Sequence, residues 1–168
     1  MKTKIILIII ILICFSCKKD NSHDDIFIYT YSELNSVSFM KMDSSDTIYY
    51  DFRGNDNGLF YSIMTAKDKK KIITIFKNID FENDTIFEQN KLSKRRSFQF
   101  YKIKNNSPKR VFIYGNNAPK EYYRFASTIN NFMKKQKKYR LKSGNDWPEL
   151  KFMIPPPPPS PKIHNNNN

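Results

Sequence analysis

Cysteine and histidine are nearly missing from this chain. The two cysteines among its 168 residues, Cys14 and Cys17, both fall at the N-terminal end. That excludes a disulfide scaffold and a thiolate zinc site in the body. The two histidines, His23 and His164, lie near the two ends. A Ser-His-Asp or Cys-His site in the body therefore lacks its base, and no histidine pair has metal-ligand spacing. Only four glycines are present, too few for a collagen-like chain, and no glycine-rich phosphate loop occurs. No apolar run is long enough to span a bilayer. The longest, Ile5–Phe15, has 11 residues and rises about 16 Å as a helix, half the hydrocarbon core. Acidic residues are scarce in one region: Glu121 stands alone among 16 Lys and Arg between residues 91 and 142.

What is present begins with an address. Met1–Lys4 is cationic, Ile5–Phe15 is apolar, and the small Ser16 precedes Cys17. These are the marks of a secretory signal. The segment Ile13-Cys14-Phe15-Ser16-Cys17 resembles the lipobox of bacterial lipoproteins, with Cys14 where leucine is usual and a bulky Phe15. The resemblance implies cleavage after Ser16 and a thioether-linked diacylglycerol on Cys17. The alternatives are a plain secreted protein and an uncleaved anchor. Lys18–Asp25 is polar without apolar period and reads as a flexible tether. It is similar to the charged stretch that directs some lipoproteins to the outer face of the outer membrane. The expected organisation is a signal peptide at 1–16, a lipidated cysteine and tether at 17–25, one domain at 26–142 and a tail at 143–168. The expected location is the cell envelope, at the outer membrane, with periplasmic and surface faces both open.

The body reads as four strands, a helix, two or three strands and a helix. Ile26–Tyr31 is apolar or aromatic on both faces and predicts a covered strand. Val37 and Phe39, then Ile48, Tyr50 and Phe52, then Leu59, Tyr61 and Ile63, each mark one face of a further strand. Gly54–Gly58 predicts a hairpin loop. Thr65 and Asp68 fit a helix N-terminus, with Ile72, Ile73, Phe76 and Ile79 at helical spacing. The pattern fails from Asp80 to Lys94, apart from a short strand candidate at Thr85–Glu88. Ser97–Lys104 and Lys109–Tyr114 pair around Asn105–Pro108. Pro119 is placed as the first residue of a second helix that carries Tyr122, Phe125, Ile129, Phe132 and Met133, with a basic end running to Arg140. Adjacent runs of strands predict an α+β fold: an antiparallel sheet with two amphipathic helices on one face, in the order β-β-β-β-α-β-β-α. Phe52, Gly58, Tyr61, Ile79-Asp80-Phe81 and Ile113-Tyr114-Gly115 make Tyr49–Lys134 resemble an uncharacterised small domain of bacterial envelope lipoproteins. That family brings no assigned activity. In the tail, Trp147-Pro148 and Leu150–Ile154 could pack one last extended segment. Pro155–Pro159 predicts polyproline II, and 155–168 a projecting, disordered end.

Charge is segregated along the chain. Residues 18–90 carry a net −4, residues 91–142 a net +15, and residues 143–168 balance. The basic third has three readings. One is a solvated face partly neutralised by the acidic first half. Another is adhesion to an anionic surface such as phospholipid head groups or lipopolysaccharide, through Lys94, Arg95, Arg96, Lys134, Lys135, Lys137 and Lys138. Nucleic acid is the third, disfavoured because the aromatics fall at core spacing and the chain reads as exported. Asn55–Gly58 suggests a calcium loop, but Arg53 and Met64 stand where acids are needed, so it reads as a turn. Asp51, Asp56, Asp80, Asp84 and Glu88 leave a paired-carboxylate glycan hydrolase open, although no spacing singles out a pair. No catalytic, metal-binding or cofactor-binding residue is assigned, and no cofactor is expected. The leading expectation is a non-enzymatic binding or scaffolding module, held to the membrane by the lipid on Cys17 and able to contact an envelope protein. An inhibitor or immunity-type binder is not separable from it.

Overall fold

The computed structural model describes residues 25–33, 36–54, 57–88 and 96–141. In chain order the elements are β1 (Ile26–Glu33), β2 (Ser36–Met42), β3 (Thr47–Arg53), β4 (Gly58–Ile63), α1 (Ala66–Lys77), β5 (Thr85–Glu88), β6 (Arg96–Lys104), β7 (Ser107–Tyr114), α2 (Lys120–Lys135) and β8 (Tyr139–Arg140). The strands form one sheet in the order β5-β7-β6-β1-β2-β3-β4-β8. Every neighbouring pair is antiparallel except β5 with β7. This is the expected α+β fold with both helices on one face.

Period-2 alternation assigns the two faces. Phe27, Tyr29, Met40, Met42, Ile48, Tyr50, Phe98, Phe100, Val111 and Ile113 point toward the helices and form the main core with Ile72, Ile75, Phe76, Tyr122, Phe125, Ile129 and Phe132. Phe100 is the ring that joins the layers. Its centroid lies 5.4 Å from Tyr29, 6.1 Å from Phe76 of α1 and 6.3 Å from Tyr122 of α2. The opposite, outer face holds a smaller cluster of Ile28, Phe39 and Tyr101, with Val37, Tyr49, Leu59 and Ile103 packed against it. So the pairs Val37/Phe39 and Leu59/Tyr61/Ile63, which mark strand faces correctly, mark the outer one. The helix-facing residues of β4 are Phe60 and Ser62.

Local chemistry explains the element ends. The Thr65 hydroxyl oxygen accepts from the Asp68 N–H at 3.1 Å, satisfying one free donor of α1, and Asp68 sits in the first turn where the dipole favours an acid. The β6–β7 hairpin is tighter than the sequence suggests. β7 starts at Ser107, and Asn105 and Asn106 alone make the turn at φ 52° and 59°. Two consecutive positive φ values define the primed turn that matches strand twist, and asparagine tolerates them. Pro119 caps α2 instead of opening it, and no side chain bonds there. α2 also stops earlier than expected. Its last residue is Lys135, and Arg140 belongs to β8, which pairs with Phe60 and Tyr61 of β4. The segments 1–24 and 142–168, on which the expected signal peptide, lipidated Cys17, tether and polyproline run fall, lie outside the described residues.

Candidate functional site

α2 crosses the sheet. Tyr122 and Tyr123 near its start pack on Phe87 of β5 and Phe98 of β6. Asn130, Met133 and Lys134 near its end stand over Tyr31, Ser38 and Phe52 of β1, β2 and β3. The helix rises about 24 Å over 16 residues, close to the five strand spacings from β7 to β4. Its C-terminal end is therefore delivered to the sheet end where β1 finishes at Glu33 and β6 begins at Arg96.

A cleft of about 250 Å³ opens there between helix and sheet, lined by these residues together with Glu33 and Lys138. Glu33 is its one carboxylate. The Tyr31 hydroxyl donates to Glu33 Oε2 at 2.8 Å, and Arg96 Nε donates to Oε1 at 2.6 Å. The Tyr31 bond first, then the Arg96 bond, hold the Glu33 carboxyl below the usual glutamate range; Lys134 adds a smaller pull in the same direction. Lys138 turns inward instead of joining the surface. Its ammonium donates to the Met133 carbonyl, an otherwise free acceptor at the end of α2. It lies 5.6 Å from the Tyr50 ring and 5.8 Å from the Phe52 ring. Burial lowers its pKa. The rings and the carbonyl hold the cation in place of water.

The seven basic residues singled out in the sequence thus divide. Arg96, Lys134, Lys135 and Lys137 are exposed, and of these Arg96 and Lys134 stand beside Glu33 at the cleft. Lys138 is inside the cleft, and Lys94 and Arg95 lie outside the described residues. Arg96 is engaged with Glu33, while Lys137 lies 5.2 Å from the Tyr139 ring. Lys134 and Lys135, in the last turn of α2, have no ion pair among the described residues. The cleft itself was not legible from periodicity. It depends on α2 ending at Lys135 and folding back through Lys138 into β8.

The candidate carboxylates are scattered. Asp51 is buried on the outer face and accepts from Arg53 Nε at 2.9 Å. Asp84 accepts from the Arg110 N–H at 3.0 Å near the β5 edge, five strand spacings away. Asp80 accepts from the Glu82 N–H at 2.9 Å, Glu88 is exposed, and Asp56 lies outside the described residues. No three of His, Cys, Asp or Glu gather as a metal site among the described residues. No described helix is long and apolar enough to cross a membrane.

Comparison with protein-family models, with curated proteins and with solved structures finds no match for the chain.

Proposed function

We propose that this protein is a lipid-anchored component of the bacterial cell envelope, attached through Cys17. In this reading its α+β domain is a non-enzymatic module that lays a basic end against anionic lipid head groups. The observation that carries the surface reading is the pair Arg96 and Lys134, exposed beside a single carboxylate, Glu33, with Lys135 and Lys137 exposed in the chain that follows. Each such cation contributes about 1 kcal/mol near an anionic leaflet. The cationic stem before an 11-residue apolar run, ending at Ser16-Cys17, supports the anchor. Two or three acyl chains on one cysteine make attachment effectively permanent.

The tether meets the domain at Asp25, where that carboxylate pairs with Lys102 at 3.0 Å. This is the opposite end of β1 from Glu33. Eight tether residues, Lys18–Asp25, reach about 28 Å when extended, and β1 is about 26 Å long. The domain can therefore lie back along its own leaflet and bring α2's end to the head groups.

Vesicle flotation of the mature chain, made as Cys17→Ser so that no lipid is added, tests the surface. Binding to vesicles rich in phosphatidylglycerol, loss in high salt, and about a hundredfold weakening in a Lys134→Glu, Lys135→Glu, Lys137→Glu variant are expected. Binding indifferent to anionic lipid and to salt would remove the proposal.

A further inference from the structure

The cleft at the end of α2 has a cause in the register of the sheet. Phe98, Tyr31, Ser38, Phe52 and Gly58 stand side by side on β6, β1, β2, β3 and β4. Rings fill that row except at Ser38 and Gly58. One row further in, Phe100, Tyr29, Met40, Tyr50 and Phe60 leave no such break. Ser38 is thus a gap one side chain wide between Tyr31 and Phe52, with Asn130 and Met133 of α2 also lining it. A cavity of about 150 Å³ is enough for benzene. At about 250 Å³ this one takes a ring and a small polar group beside it.

The charges in the cleft do not balance. Both Glu33 oxygens are engaged, one by the Tyr31 hydroxyl and the other by Arg96, and Arg96 offsets the carboxylate charge. Lys134 and Lys138 have no ion pair among the described residues. Lys138 is the more telling of the two. Its ammonium gives one N–H to the Met133 carbonyl and lies over the rings of Tyr50 and Phe52. Its partial burial disfavours the charge, and an anion beside it would restore what the lost water supplied. The Ser38 hydroxyl and the Asn130 amide also line the cleft, and both can donate to an anion.

We propose that this cleft binds a small organic anion, a carboxylate on a body the size of one aromatic ring. The ring occupies the gap at Ser38, between Tyr31 and Phe52, and the carboxylate faces Lys138 and Lys134. This occupant differs from a lipid head group on the basic end. A head group needs only exposed cations, whereas the ring needs the gap in the sheet and the inward Lys138.

Titration of the mature Cys17→Ser chain with benzoate, followed in amide nitrogen–proton correlation spectra, tests this. Saturable shifts at Ser38, Phe52 and Asn130 are expected, with half-saturation on the order of 1 mM. Benzyl alcohol, the same ring without the charge, should bind at least about tenfold more weakly. Inorganic phosphate should leave those three residues unmoved. Lys138→Met should weaken benzoate binding about tenfold, and Ser38→Leu, which fills the gap, should abolish it, both with spectra dispersed as in the parent chain. The three probes on the parent chain decide the matter should a variant fail to fold. Absence of saturation, or shifts confined to Lys134, Lys135 and Lys137, would overturn the inference. Equal binding of benzyl alcohol would overturn the part given to Lys138. Phosphate shifts at Ser38 equal to those of benzoate would overturn the part given to the ring. The titration contains no lipid, so its failure leaves the vesicle result standing, and a failed flotation leaves the cleft standing.

Discussion

Two tyrosine hydroxyls are buried in the core without hydrogen-bond partners, those of Tyr29 and Tyr50. They approach Asn130 and Ser62 without reaching bonding geometry, and burial pushes both pKa values up, that of Tyr50 to about 12. An unpaired buried hydroxyl costs free energy that a phenylalanine does not. Tyr29→Phe is therefore expected to be neutral or stabilising by up to about 1 kcal/mol in urea unfolding. A clear loss would mean that Asn130 accepts that proton in solution. Glu33 is the residue whose charge state matters at acid pH. Its pKa is depressed in the folded chain, so its contribution is full above the ordinary value of 4.5 and is lost as pH falls through the lower folded value. The carboxylate is partly solvated, which keeps the effect small. Against the wild type, Glu33→Gln should be less stable at pH 7, with the gap closing below pH 4.5. A gap of constant size from pH 7 to pH 3 would show that shape, not charge, is responsible.

At the level of elements, the start of α1 is where sequence and structure agree closely. Thr65 is a hydrogen-bonding N-cap, and Thr65→Ala should cost about 1 kcal/mol, read as a lower unfolding midpoint, with Thr65→Ser close to wild type. The succession of strands and helices along the chain and the largely antiparallel plan were legible because period 2 and period 3.6 are written directly in apolar residues. Which sheet face a pattern serves was not. Val37/Phe39 and Met40/Met42 are equally apolar sets on one strand, and only the position of the helices decides which is inside. β5 could be recognised but not paired, because its parallel contact with β7 joins residues on either side of β6. The end of α2 was misjudged for an electrostatic reason. Lysines suit a helix C-terminus, so the run to Arg140 read as one helix. Lys138 instead folds back to bond the Met133 carbonyl, and the next two residues join β4. That reversal creates the cleft.

For the whole molecule, the sheet sets a distance between two ends. Asp25 pairs with Lys102 at one end of β1, and Lys134 of α2 stands with Glu33 at the other. The net charges of −4 over residues 18–90 and +15 over residues 91–142 fold into one sheet, since β6 lies against β1. Some of the basic character is consumed in pairs such as Arg96 with Glu33 and Lys102 with Asp25; Lys134 and Lys135 are not so paired among the described residues. In the proposed reading, the way this domain meets its surroundings depends on a lipid at Cys17. Intact mass of the native protein, extracted from membranes in detergent beside a Cys17→Ser form, tests that most directly. The expected native species begins at Cys17 and carries the added mass of a diacylglycerol, with or without a third acyl chain, and the Cys17→Ser form lacks that addition. A native chain that still starts at Met1 with an unmodified Cys17 would contradict the account.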